Sequence, residues 1–93
     1  MEIRVDDFIV CLDGRVVEIF HTQSSWKDRI HVDLFAAEAK PDGDGAKVRV
    51  GMMLPGKHEL FVGAGGMRMK LDAAEWATFQ EFVGAVKALK SPQ

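Results

Sequence analysis

The segment that first suggests chemistry in this sequence is a glycine cluster within FVGAGGMRMK, residues 61–70. Loops that hold nucleotide phosphates lead directly into a helix, whose unpaired backbone N–H groups point at the anion. Here the residues after the glycines, Met67 to Leu71, alternate between apolar and charged types, which is the period of a strand. Arg68 also stands where a dinucleotide-binding pattern has its last glycine. The cluster is therefore predicted to be a turn between two strands.

Histidines are the next residues that could do chemistry. The candidate metal ligands are His21, His31 and His58, and His31 would share one strand face with Asp33. Zinc sites take three or four ligands from histidine, cysteine and carboxylates. Cys11, the single cysteine, lies in an apolar run and is expected to be buried within its strand. We predict exposed histidines, no bound metal and no cofactor.

Calcium binding and catalysis are also poorly supported by the sequence. Asp42 and Asp44 resemble the start of a calcium loop, but Ala46 occupies the next ligand position. Ser24 and Ser25 are available hydroxyls, yet no motif brings a nucleophile to a base. We therefore predict a protein that is not an enzyme and has no catalytic residues.

Length, composition and charge narrow the class of protein. The chain has 93 residues, 47% apolar and 28% charged, which predicts one globular domain spanning residues 1–93. A net charge of −2 gives no general attraction for nucleic acid or anionic membrane, so such binding needs a local patch. Without a signal-like or membrane-spanning apolar segment, and with one cysteine, a reducing cytoplasm is the expected location.

Hydrophobic periodicity divides the chain into short strands and one helix. The dipeptide Asp13-Gly14 between two apolar runs predicts a hairpin. Ile30, Val32 and Leu34 alternate inward, but the parity then changes, so a bend or bulge near Phe35 must separate two strands. The predicted strands are residues 8–12, 15–22, 29–33, 35–40, 46–54, 58–62 and 67–71, and the predicted helix is residues 73–90.

Two further segments carry specific expectations. Residues 41–45, PDGDG, have the composition of a turn. Residues 47–54 alternate, and their inward members are Val48, Val50, Met52 and Leu54. In the helix, Asp72 and Glu75 form a capping-box-like start. The apolar residues of the helix recur every three or four positions and predict one buried stripe, made of Trp76, Phe79, Phe82, Val83, Val86 and Leu89.

Seven short strands followed by one amphipathic helix resemble the pleckstrin-homology-like fold over about residues 8–89. The segments FIVCLDGRVVEIF, DRIHVDLFAAEA and LDAAEWATFQEFVGAV look like the matching segments of short bacterial members, whose activity is mostly unassigned. The resemblance implies a split barrel of two orthogonal antiparallel sheets, with the helix at one open corner. Phosphoinositide-binding members carry a long basic loop after the first strand, where this chain has Asp13-Gly14 and Arg15 alone. The structural alternative is another small β-barrel with a terminal helix.

The leading functional candidate is a face of the predicted sheet. If the apolar residues of the last three strands point inward, the outward positions gather basic side chains around Phe61. We name this set the basic sheet face; it consists of Lys47, Arg49, Arg68 and Lys70 around Phe61. The two interpretations are an ordinary solvated surface and a binding surface for an acidic protein partner. Anionic lipid is possible for the same surface, and nucleic acid is unlikely.

Two other features could bind a partner. Trp26 lies in the polar segment TQSSWKD and either anchors a partner or folds back over one end of the barrel; covering is the favoured interpretation. The outer side of the helix is lined by small residues that permit close helix approach, so a homo-oligomer is possible. Alanine is also a strong helix former at the surface, which explains that composition without a partner. The sequence thus predicts a non-catalytic interaction module that binds a protein, with peripheral membrane binding as the alternative.

Overall fold

The structure is a computed structural model that describes residues 1–54, 56 and 67–91. Within those residues the protein is mainly β with one C-terminal helix, as predicted, and its seven strands form two antiparallel sheets. The elements are β1 (Glu2–Val5), β2 (Phe8–Asp13), β3 (Val16–His21), β4 (Lys27–His31), β5 (Phe35–Asp42), β6 (Gly45–Met52), β7 (Met67–Leu71) and α1 (Ala73–Ala88).

The strands form sheet A, in the order β1-β2-β3-β4, and sheet B, in the order β5-β6-β7. Strand β1 was not predicted from the sequence. Four residues at a chain end carry little periodic signal, and this strand is defined by its pairing with β2, from Glu2 opposite Cys11 to Val5 opposite Phe8. The predicted strand at residues 58–62 lies outside the described residues. The predicted strand at residues 67–71 is confirmed as β7, so the glycine cluster is not followed by a helix.

The predicted hairpin after β2 is confirmed, but its turn is shifted by one residue. Asp13 pairs with Val16, so the two-residue loop is Gly14-Arg15 rather than Asp13-Gly14. Gly14 has a φ of +60°, which is the positive value that the first position of this kind of hairpin turn requires. Glycine reaches this conformation without the steric cost that a Cβ atom would bring.

The chain passes from sheet A to sheet B between β4 and β5. The predicted break is confirmed but lies before Phe35, because β4 already ends at His31. A hydrogen bond of 2.9 Å from the Leu34 N–H to the His31 carbonyl closes this turn. Val32 and Phe35, on either side of the turn, are both buried and bring the two sheets onto one core.

Two expectations about sheet B were wrong. Pro41 and Asp42 belong to β5 rather than to a turn, and the loop is only Gly43-Asp44. Proline is tolerated there because β5 is an edge strand, where one side of the backbone needs no donor. Leu54 was expected to point inward, but it is 50% exposed because β6 ends at Met52.

Helix α1 closes the core over both sheets. It contacts β1 of sheet A and β6 and β7 of sheet B. The predicted stripe is confirmed, with Phe79, Phe82 and Val86 fully buried and the other members packed at the edge of the core. Burying each large side chain contributes roughly 1.5–3 kcal/mol as an upper value. No helix within the described residues is long and apolar enough to span a membrane.

The Glu75 carboxylate ties the start of α1 to sheet A, and a hydrogen bond to Asp6 extends the link to sheet B. The predicted capping box is present: the Glu75 N–H donates to Asp72 Oδ1 (2.8 Å), and Glu75 Oε1 accepts from the Asp72 N–H (3.1 Å). Glu75 Oε2 accepts from the Asp6 N–H in the β1–β2 turn (2.6 Å). The Asp6 carboxylate in turn accepts from the Lys70 N–H of β7 (2.9 Å). We call Asp6, Lys70, Asp72 and Glu75 the helix-start junction.

Replacing Glu75 should therefore destabilise the protein more than a helix-surface substitution does. Glu75→Ala leaves the N–H groups of Asp6 and Asp72 without their acceptor, and we expect the free energy of unfolding to fall by about 1–3 kcal/mol. Glu81→Ala, on the exposed side of α1, is the matched control and should change it by less than about 0.5 kcal/mol. Urea denaturation measures both. Equal losses in the two variants would show that the junction is not stabilising.

The end of α1 is held by a second carboxylate. Asp33, in the turn between the sheets, accepts hydrogen bonds from the Ser91 N–H (2.8 Å) and the Ser91 hydroxyl (3.0 Å). Arg15 of the β2–β3 turn donates to the same carboxylate at 3.3 Å. The Ser91 N–H hydrogen bond, with the Ser91 hydroxyl and the Arg15 and His31 charges beside it, lowers the pKa of Asp33 below its ordinary 3.8.

This lowered pKa predicts an acid-dependent loss of stability. Because the folded protein holds the Asp33 proton less tightly than the unfolded chain, the stabilisation is present above pH 3.8 and is lost as the pH falls through the lower folded pKa. The stability advantage of wild type over Asp33→Asn should therefore shrink between about pH 5 and about pH 2. Thermal unfolding across that range measures it, with Asp44→Asn in the exposed β5–β6 turn as the control. Parallel stability profiles for wild type and Asp33→Asn would contradict this account.

Candidate functional site: the basic sheet face

Strand alternation separates the core of sheet B from a charged outer surface. Val48, Val50, Met67, Met69 and Leu71 are 1–3% exposed and pack inward, as predicted. The intervening side chains are exposed on the opposite face. Of the predicted members of the basic sheet face, this placement holds for Lys47, Arg49, Arg68 and Lys70.

The strand register brings like charges directly opposite each other. Lys47 of β6 faces Lys70 of β7, and two residues further along Arg49 faces Arg68. On the other side of β6, Lys40 of β5 faces Lys47. A row of three lysines therefore crosses the whole of sheet B. Cβ atoms of such opposed residues lie about 4.5–5.5 Å apart, and like charges at this distance destabilise a sheet.

Lys40 is a member of the basic sheet face that the sequence analysis missed. The signal was present, because the alternation in AAEAK puts Glu38 and Lys40 on one side of β5. The length of the loop between β5 and β6 could not be read from the sequence. The two-residue loop Gly43-Asp44 sets the register that places Lys40 beside Lys47.

Acidic side chains neutralise only part of this charge. Glu38 lies 3.7 Å from Arg49, and Asp42 lies 3.9 Å from Lys70, measured between the charged atoms. Both pairs are largely exposed to solvent, where ion pairs of this kind contribute about 0–1 kcal/mol. An incoming anion can therefore replace either carboxylate at little cost.

The outer surface of sheet B is concave. A groove of about 450 Å³ lies over it and is lined by the five basic side chains together with Asp6, Glu38, Val48 and Met69. The five basic residues against the two acidic ones leave the groove positive, although the whole chain carries a net charge of −2. Asp6 belongs both to this groove and to the helix-start junction, where its carboxylate is already occupied by the Lys70 N–H. The groove is therefore suited to an anionic ligand.

The predicted centre of the basic sheet face needs correction. The strand carrying Phe61 was expected to lie between residues 46–54 and 67–71. Instead β6 and β7 are hydrogen-bonded neighbours, from Ala46 opposite Leu71 to Val50 opposite Met67, and no strand lies between them. Phe61 itself is outside the described residues. The basic side chains are consequently closer together than the predicted order implied.

Trp26 directly precedes β4 of sheet A and does not line this groove. Its ring is half-buried, meets Phe8 edge-to-face at a centroid distance of 6.3 Å and packs against the core. The Trp26 carbonyl accepts a hydrogen bond from the His21 N–H, which closes the β3–β4 turn. This contact agrees with the covering interpretation, while a role in partner binding stays a prediction.

The other candidate residues are not brought together into a reactive centre. Cys11 was expected to be buried but is half-buried, because it faces away from the core side occupied by Val10. Burial raises the pKa of its thiol, and a hydrogen bond of 3.5 Å to the Glu2 carboxylate adds to the rise. His31 accepts a hydrogen bond from the Asp33 N–H. Within the described residues, no group of three histidine, cysteine or carboxylate side chains could hold a metal ion.

A second depression separates α1 from the edge strand β5. It has a volume of about 310 Å³ and is lined mostly by apolar and small side chains, including Ala37, Ala39 and Val83. Ala39 is exposed because α1 packs on β1, β6 and β7 and leaves this end of β5 uncovered. The outer side of α1 presents exposed small residues as predicted, and self-association through them stays a prediction. Those residues are Ala74, Ala77, Gly84 and Ala88.

Comparison of the chain with family models, with curated proteins and with solved structures gave no match in any of the three. Function is therefore inferred from the side chains of the basic sheet face and their register.

The lysine row predicts that removing its central charge stabilises the free protein. Lys47→Glu converts two opposed like-charge pairs, with Lys40 and Lys70, into attractive ones. We expect the free energy of unfolding to rise by up to about 1 kcal/mol at low salt, with a smaller rise for Lys47→Gln. Thermal unfolding at low and high salt measures this, and screening should reduce the difference. A loss of stability in Lys47→Glu would show that the row is not repulsive.

Proposed function

We propose that this protein is a non-catalytic interaction module that binds an acidic segment of a protein partner through the basic sheet face. The observation that carries the proposal is the row formed by Lys40, Lys47 and Lys70, in which like charges are opposed across three strands. Local features that oppose stability are concentrated at functional sites. A bound carboxylate would supply the negative charge that the row lacks.

The chemistry of the side chains supports binding. Exposed lysine and arginine keep their charge at neutral pH, and a guanidinium adds a planar fork that fits a carboxylate. Arg49 and Arg68 lie opposite each other, two residues along the strands from the lysine row. Their charges steer an anionic partner towards the groove and fix its orientation.

A pleckstrin-homology-like split barrel is the proposed architecture, with the module acting in the cytoplasm. Two observations support the split-barrel architecture: the order of four strands, three strands and one helix, and the contacts of α1 to both sheets. Because β1 precedes β2, the connection after the first strand is the two-residue turn Asp6-Asp7, which is acidic and too short to form the basic loop of phosphoinositide-binding members. The single, half-buried cysteine suits a reducing compartment.

A protein partner is favoured over an anionic membrane by the shape of the charged surface. The cations line a groove, which fits a narrow chain better than a flat bilayer, and Glu38 and Asp42 flank it. Membrane-bound modules add apolar side chains that enter the lipid. Within the described part of the groove, the side chains on the outer face of sheet B are charged. Lipid binding is therefore an outcome for the experiment to decide.

Charge reversal of the basic sheet face should abolish binding. We expect Arg68→Glu combined with Lys70→Glu to weaken binding of a labelled polyglutamate peptide by roughly tenfold or more, because two attractive contacts become repulsive. Fluorescence anisotropy at low and physiological salt measures the affinity. The double variant Lys27→Glu, Lys87→Glu makes the same change in net charge on β4 and α1, outside the groove, and should bind nearly as well as wild type.

Co-sedimentation with neutral and anionic vesicles completes this test. Vesicle binding that requires anionic lipid, without peptide binding, would show that the basic sheet face binds a membrane and not a protein partner. Equal weakening in the two double variants would show that only net charge matters and would remove the basic sheet face from the proposal. Phe61→Ala and Trp26→Ala report whether either aromatic residue contributes an apolar anchor to the bound segment.

A further inference from the structure

We infer that the segment bound by the basic sheet face is an extended peptide with acidic residues at alternate positions, lying along β6 and β7. This inference rests on the proposed function and adds the conformation and spacing of the partner. It follows from how the cations are arranged in the sheet.

The cations of β6 and β7 form two levels. The first level is the opposed pair Lys47 and Lys70, and the second is the opposed pair Arg49 and Arg68. Within one level the two side chains start about 5 Å apart, so one carboxylate can lie between them and accept from both. The two levels are two residues apart along each strand, which corresponds to roughly 6.7 Å.

An extended peptide reproduces the spacing between levels. Its side chains at positions i and i+2 point to the same side and are also roughly 6.7 Å apart. Acidic residues at alternate positions would therefore place one carboxylate over Lys47 and Lys70 and the next over Arg49 and Arg68. The residues between them point away from the sheet, so their identity is free. In a helix only residues three or four apart share one face, so acidic residues at alternate positions would point to different sides.

The flanking charges define the edges of the bound segment. Beyond the lysine level, Lys40 continues the positive row onto β5, whereas at the arginine level the corresponding position is Glu38. Glu38 lies 3.7 Å from Arg49 and repels an anion on the β5 side. A carboxylate at the arginine level is thus directed towards β7, while at the lysine level three lysines stand against the one carboxylate of Asp42. The peptide is expected to follow the β6–β7 boundary.

A set of labelled peptides with equal length and charge tests this inference. Each carries the same number of glutamates among serine and glycine residues, placed at alternate positions, at every third position or at every fourth position. We expect the alternating peptide to bind about fivefold more tightly than the other two in fluorescence anisotropy. Arg49→Gln combined with Arg68→Gln, which removes the second level and leaves the lysine row, should abolish that advantage while retaining weak binding of all three.

The outcomes separate this inference from the proposed function. Equal affinities for the three peptides, all lost on Arg68→Glu with Lys70→Glu, would overturn the spacing and leave the acidic-partner function intact. A preference that survives the two arginine-to-glutamine changes would overturn the assignment of the second level. Absence of binding to any peptide would remove both proposals.

Discussion

The arrangement of this fold depends on the hydrogen bonds accepted by the Glu75 carboxylate. It closes the first turn of α1 onto Asp72 and also holds the N–H of Asp6 in the β1–β2 turn. Asp6 adopts a φ of +53°, which costs a non-glycine residue roughly 1 kcal/mol, and its two hydrogen bonds offset that cost. Because the second of these bonds goes to the Lys70 N–H, the helix and both sheets share one fixed point.

That fixed point also connects the core to the proposed binding surface. The backbone N–H of Lys70 donates a hydrogen bond to the Asp6 carboxylate, and the Lys70 side chain projects into the basic sheet face. Its neighbours Met69 and Leu71 are buried beneath α1, so β7 cannot slip by one residue without exposing two core side chains. The same constraint that protects the core therefore holds Lys70 opposite Lys47. The like-charge row persists because burial on the other side of the sheet outweighs the repulsion.

The features readable from the sequence are those set by local pattern, and the missed ones are set by distant partners. The capping box at Asp72 and Glu75, the buried stripe of α1 and the alternation of β7 follow from spacing alone. β1 is four residues that become a strand through pairing with β2, which periodicity does not show. Pro41 was predicted to be in a turn because the sequence does not show that β5 is an edge strand, where proline is tolerated. For the site, alternation identified Lys47 and Lys70, but only the register showed that they are opposed.

A positive groove on a chain of net charge −2 has a physical consequence for recognition. At physiological salt, charges more than about 8 Å apart are largely screened, so an approaching segment responds to the local groove more than to the net charge. The negative remainder of the surface repels an acidic partner that approaches from other directions. The pairs of Glu38 with Arg49 and Asp42 with Lys70 are weak, so they offer little resistance to an anion that enters the groove. In the proposed complex, a peptide gains over a single anion because it presents two carboxylates at the spacing of the strands.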